Sequence, residues 1–156
     1  MSEEKANDTW SEPGDTDASH LSPEISIEAQ YIKDLSFENP IAPRAPAGKS
    51  APDINVEVTT GARPIGDGFH ETTLLIRAEA TSGGSPLFIL ELTYGSVMKV
   101  SGIPEEAINA VLLTEGARLI FPFARNIIAD VTRDGGFPPL FLQPIDFIDL
   151  YNNQQS

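Results

Sequence analysis

The sequence predicts an α+β domain, a four-stranded antiparallel sheet followed by helices. Three observations predict it. Apolar and polar residues alternate through several segments up to residue 100, the period becomes helical beyond residue 104, and most Gly and Pro fall between segments.

The first strand is read over 30–38 and ends in KDLSFENP, at a proline. Simple alternation sets Lys33, Leu35 and Phe37 on one face and Asp34, Ser36 and Glu38 on the other. Leu35 and Phe37 need a core, and the opposite face then carries two carboxylates with no cation between them. Residues 39–53 hold Pro40, Pro43, Pro46 and Pro52, which predicts an extended crossover. INVEVTT at 54–60 is the second strand, and GARPIGDG is a loop. FHETTLLIRAEA at 69–80 is the third, TSGGS a hairpin connection, and 86–100 the fourth, with Gly95 read as a bulge or bend.

PEEAINAVLLTEG predicts a short helix, with Pro104 at its first position and Glu105 and Glu106 at the positive end of the dipole. In ARLIFPFARNIIADVTRDGG, Phe123, Ile127 and Val131 form one stripe beside Ile120, Ala124 and Ile128. Pro122 kinks or starts this helix, and Gly135 and Gly136 stop it. FPPLFLQP at 137–144 is an apolar loop fixed by prolines. A last helix starts from an Asp146 cap and runs to about Asn153.

The chain has 156 residues, one domain's worth, with residues 1–27 read as a disordered acidic tail and 28–153 as the folded domain. Trp10 and His20 fall in that tail. With 10 Lys and Arg against 23 Asp and Glu, net −13, the chain repels nucleic acid and anionic membranes and favours basic partners. The absence of cysteine excludes disulfides, Cys-metal sites and thiol catalysis. The acidic start is unlike a secretory signal, and no apolar run approaches membrane-spanning length, so a soluble, cytoplasmic protein is expected.

Chemical motifs are few. His70 opens a strand and reads as a surface histidine, because a zinc helix needs a second His one turn on. GDG at 66–68 and the GG pairs lack the spacing of a phosphate loop, and DVTRDGG lacks the downstream acids of a calcium loop. Asp34 and Glu38 lie roughly 13 Å apart along a strand, too far for a dyad whose members sit within about 5 to 9.5 Å. They fit a solvated strand face or an extended acidic surface. No catalytic residue, metal site or cofactor is expected.

YIKDLSFENPIAP at 31–43 and LIFPFARNIIADVTRDGGFPPLFLQPIDF at 119–147 resemble the two signature regions of SecB, the bacterial protein-export chaperone family. The spacing between them is similar too, and the likeness covers about residues 28–153. The resemblance implies a four-stranded sheet with a helical layer, paired into larger sheets and stacked through helices as a dimer-of-dimers homotetramer. It implies an ATP-independent chaperone that holds precursor proteins unfolded and passes them to the motor SecA, which docks through a basic, zinc-containing C-terminal segment; that zinc belongs to the partner.

On this resemblance the SecA-docking residues are Asp34, Glu38, Ile89 and Glu91, and Leu90, Leu92 and Tyr94 influence tetramer assembly or are simply core. Strand parity agrees, since Ile89 and Glu91 share one face and Phe88, Leu90, Leu92 and Tyr94 the other. The client surface falls on Phe137, Leu140, Phe141, Leu142 and Phe147, some of which seal the core instead. Tyr31 and Tyr94 are minor aromatic candidates.

Some relatives continue past the C-terminus with a segment that makes a second SecA contact, and the crossover is alanine- and proline-rich, so client contacts from it are expected to be weak. The alternative within this fold is a SecB-like chaperone dedicated to a toxin–antitoxin system; the acidic set Asp34, Glu38 and Glu91 favours coupling to SecA. An enzyme would need a convergent polar cluster that the sequence lacks.

Overall fold

The computed structural model describes residues 22–46 and 51–156. The readings of Trp10, His20 and the tail up to residue 21 lie outside the described residues. The strands are β1 (Glu24–Glu38), β2 (Asp53–Gly66), β3 (Phe69–Ser82) and β4 (Ser85–Ser101). They form one sheet in the order β1-β4-β3-β2, every pair antiparallel. Short loops join β2 to β3 and β3 to β4, whereas β1 lies beside β4 and leaves β2 as the other edge. Gly83 and Gly84, at φ 57° and 82°, close the β3–β4 hairpin in the left-handed backbone that glycine adopts without strain.

The first two strands are longer than the sequence reading. Residues 24–27, assigned to the tail, pair with Ser101 to Met98 of β4, and Ile25 and Ile27 pack against the core. On β2, Gly61 to Pro64 continue the ladder with Thr73 to His70 instead of looping away. Pro64 is tolerated because β2 is an edge. A Cβ at Gly61 would lie 2.7 Å from Thr73 Oγ1, so this glycine serves a close approach and not a turn.

Gly95 is not a bulge. In the β1–β4 pairing the bulges lie on β1, where the register slips between Ile27 and Ala29 and between Ile32 and Asp34. Gly95 lacks a side chain because the Tyr31 ring occupies that space.

The helical layer covers the face carrying Leu74, Ile76, Leu90, Leu92 and Met98, all at 0% exposure. Where the sequence suggested two helices, α1 (Glu105–Val111) runs through a π turn (Leu112–Gly116) into α2 (Ala117–Asp134) as one helical stretch. Pro104 stands just before the first helical residue. Gly116 does not stop the helix; a Cβ there would sit 3.1 Å from Met98 Sδ and 3.3 Å from Thr72 Oγ1, so the missing side chain lets the helix approach the sheet. Pro122 lies inside α2 on its exposed side, where water can satisfy the carbonyl it leaves unpaired.

The joined helix, Glu105–Asp134, is long and apolar enough to cross a membrane by length and composition, with mean hydropathy 1.3 over an 18-residue window, which the sequence reading did not anticipate. Its apolar side is spent on the sheet: Leu112, Ile120, Ala124 and Ile128 have no exposed area.

α2 ends as the glycine pair predicts. Gly136, at φ 90°, donates to the Arg133 carbonyl at 3.0 Å, and Phe137 donates to that of Thr132 at 3.1 Å, a Schellman ending. The loop 137–146 then crosses back to α3 (Phe147–Gln154), which Asp146 caps by accepting from the Ile148 and Asp149 amides at 3.0 and 3.1 Å.

Candidate functional site

Cross-strand register decides which residues share the sheet face turned away from the helices. Asp34 pairs with Thr93, Ser36 with Glu91 and Glu38 with Ile89. Thr93, Glu91 and Ile89 pair in turn with Leu75, Arg77 and Glu79 of β3. Asp34, Glu38, Ile89 and Glu91 therefore stand together on one outer surface, with Asp34, Glu38 and Glu91 exposed and Ile89 half-buried. Next to them Leu75 is 45% exposed, an apolar spot within a polar field.

Lys33 departs from simple alternation. It is the extra residue of the second β1 bulge, so both it and Asp34 reach the outer face. Its Nζ donates to Glu71 Oε1 at 2.8 Å, and Arg63 Nε donates to the same oxygen at 2.9 Å. The Tyr31 hydroxyl donates to the other oxygen. Glu71 is only 6% exposed, and the hydrogen bonds from Lys33, then Tyr31, then Arg63 hold its carboxyl down at about 2. Burial first, and the bond to Glu71 second, push the Tyr31 phenol up to about 12. Two cations are thus committed to one buried carboxylate, which explains why the acids farther along β1 keep their negative field.

The helix-side face carries a different surface. Val56 and Val58 of β2 face the 137–146 loop across a groove of about 490 Å³ lined also by Leu140, Phe141, Leu142 and Leu150. A smaller recess of about 190 Å³, between Ile54, Phe88, Phe137 and Leu140, meets it at Leu140. Phe141, 67% exposed, also borders a hollow of about 380 Å³ against Pro122 and Phe123 on α2.

The five candidate client residues divide. Phe141 is exposed and Leu140 half-buried, whereas Phe137, Leu142 and Phe147 are 8%, 7% and 4% exposed and belong to the core. Phe137 closes a ring cluster with Phe37 and Phe88, at 6.4 and 5.0 Å between centroids, and Phe147 meets Phe121 edge-on at 5.6 Å. Of these, Leu142 lines the groove and Phe137 the smaller recess from the core side, and Phe147 borders neither. The loop backbone is pinned where Leu140 N donates to Thr132 Oγ1 at 2.9 Å.

Leu90 and Leu92 are fully buried, and Tyr94 is 7% exposed with its hydroxyl on Gln30 Oε1 at 3.2 Å. All three are core residues of this chain beneath the helical layer. Tyr94 offers no free aromatic surface, and Tyr31 is engaged by Glu71 and Gly95. His70 is half-buried, with Nδ1 buried and unpartnered, rather than a surface histidine. Among the described residues no group of three or more His, Cys, Asp and Glu is placed to hold a metal.

Sequence reasoning missed the β2 wall of the groove, although the alternation of Ile54, Val56 and Val58 signalled an apolar face on an edge strand. It also missed Glu71, whose partners all come from neighbouring strands, and Arg77, whose bond to Glu91 crosses from β3 to β4.

Sheet order, helical layer and grooved loop define a SecB-like fold. The structure matches the Mycobacterium tuberculosis Rv1957 SecB-like chaperone, solved in complex with a ChAD peptide from the Rv1956 HigA1 antitoxin, with a TM-score of 0.66 at 14% identity over 78% of this chain and 90% of that one. That likeness shows the fold. The family follows from sequence: the family model described as Preprotein translocase subunit SecB matches residues 18–156. The chain is 50% identical to protein-export protein SecB of Bradyrhizobium sp. strain BTAi1, covering 86% of this chain and 83% of that one. It is 52% identical to that of Agrobacterium fabrum strain C58, covering 84% and 82%. The chain belongs to the SecB family of export chaperones.

Proposed function

We propose that this protein is an ATP-independent cytoplasmic chaperone that keeps precursor proteins unfolded and delivers them to SecA. The observation that carries the reading is that one sheet offers two unlike surfaces from adjacent residues. Phe88 borders the apolar recess, while its neighbour Ile89 lies among the acids of the outer face. An unfolded chain presents scattered apolar side chains and free backbone groups, and an open apolar groove along an edge strand suits both. A basic, zinc-bound peptide segment complements Asp34, Glu38 and Glu91, with Ile89 as its apolar contact.

Assembly belongs to the same proposal. Sheets pair by strand addition and two dimers stack through the helices, where Phe123 is 49% exposed. Leu90, Leu92 and Tyr94 act on assembly by setting where α2 lies, since all three are buried beneath the helical layer. The antitoxin peptide belongs to the mycobacterial protein, and the acidic outer face favours SecA coupling here.

The test has two arms. Calorimetry at moderate salt should show the SecA C-terminal zinc segment binding the parent and weakening with Glu91→Gln. Refolding of a slow-folding precursor should be retarded without nucleotide. Absence of retardation would remove the chaperone reading, and unchanged affinity in the variant would remove the docking assignment.

A further inference from the structure

Arg77 stands in the middle of the acidic face. Its Nε donates to Glu91 Oε1 at 3.2 Å and its Nη1 to Glu79 Oε2 at 3.0 Å. Among the described residues it is the only cation ion-paired with any of the docking carboxylates Asp34, Glu38 and Glu91. Lys33 and Arg63 are occupied by Glu71. Glu57, its cross-strand partner on β2, makes no ion pair with it.

The two bonds use different nitrogens of the planar guanidinium, so one can open while the other holds. They are also unequal in access. The Glu91 side chain is 49% exposed and that of Glu79 29%. An arriving basic group meets Glu91 first.

We propose that Arg77 is a built-in competitor for the docking partner, an internal cation that holds Glu91 in the free protein and yields it to a basic side chain while remaining tethered to Glu79. This rests on the reading of the outer face as a docking site for a basic segment. The arrangement sets affinity from within. A lysine or arginine of the partner must displace Arg77 from Glu91, and because an exposed ion pair is weak the toll is small and release stays fast. Glu79 keeps the displaced guanidinium from leaving a bare cation beside the incoming one.

The experiment uses the full chain and the zinc-loaded SecA C-terminal segment, titrated calorimetrically at fixed moderate salt. Glu91→Gln first checks the docking reading; if affinity does not change, that reading fails, and the competitor with it. If affinity falls, Arg77→Gln/Glu79→Gln becomes decisive, because it leaves net charge unchanged. A competitor predicts that this double variant binds about two- to fivefold more tightly than the parent, the range set by an exposed ion pair. A pure effect of net charge predicts parental affinity, and an organising role for Arg77 predicts weaker binding; either result overturns the proposal while leaving the docking site intact. A second measurement does not depend on the variants. The Arg77 Nε–H resonance of the isotopically labelled parent should lose protection from solvent exchange when the peptide saturates it. Unaltered protection at saturation would show that Glu91 was never released.

Discussion

The Phe37 ring occupies the space that a Cβ on Gly135 would need. This single contact joins the end of β1 to the end of α2. It is reinforced where Asn39 Nδ2 donates to the Gly135 carbonyl at 3.0 Å and where Phe37 stacks toward Phe88 at 5.7 Å. The FENP segment is therefore a clasp as well as a strand end, and it fixes where the groove loop begins.

Gly135→Ala is predicted to destabilise the fold by about 1 to 3 kcal/mol, the usual cost of forcing volume into a packed site. The backbone at Gly135, φ −75°, suits alanine, so the penalty is steric. Denaturant unfolding should show a lowered midpoint with an unchanged slope.

Acid should weaken the fold through Glu71. Its carboxyl is held at about 2, below its ordinary 4.5, so it contributes stability that is fully present above about 4.5 and lost as pH falls toward 2. Tyr31 acts at the other limit: its raised value means that its contribution is present below about 10 and lost as pH rises through about 12. Glu71→Gln should cost about 1 to 3 kcal/mol at neutral pH by leaving its donors poorly paired, and should flatten the acid limb of the stability profile. Unfolding free energies between pH 2 and 7 for both proteins would check this.

Asp34→Lys should lower affinity for the SecA segment about tenfold at moderate salt, with the loss shrinking as salt rises. Because Asp34 is exposed on an edge strand, stability should change by under about 0.5 kcal/mol. Calorimetry across a salt series, with a thermal melt alongside, measures both.

Phe141→Ser should weaken client holding without loosening the protein. One buried aromatic side chain is worth about 1.5 to 3 kcal/mol of contact, so roughly ten- to hundredfold lower affinity for an unfolded precursor is expected. Leu142→Ser is predicted to do the reverse, costing about 2 to 5 kcal/mol of stability, because Leu142 is in the core. Refolding retardation and unfolding midpoints separate the two.

The sheet was largely legible because period two survives in β3 and β4, both central and flanked by glycine turns. The ends of β1 and β2 were not. Acidic residues around Ile25 and Ile27 looked like tail, and Gly61 and Pro64 looked like turn, although a close approach and an edge position account for them. Parity puts Asp34 with Glu38 on one face of β1 and Ile89 with Glu91 on one face of β4; the register between the strands sets both pairs on the outer surface, and a bulge turns Lys33 to the same side. Parity cannot foresee a bulge, and loop composition cannot tell Phe141 from Phe137, since a turn of backbone decides which ring is exposed and which is buried.

The groove and the acidic face are separated by one sheet. Ile54, Val56 and Val58 line one side of β2, and Asn55, Glu57 and Thr59 stand on the other. Passing that edge and crossing two strand spacings covers on the order of 20 Å, which about six extended residues can span. A polypeptide lying in the groove is thus within one short peptide length of whatever occupies the acidic side. On the proposed function, transfer between the two would require a change of grip over a few residues and no large movement of the carrier.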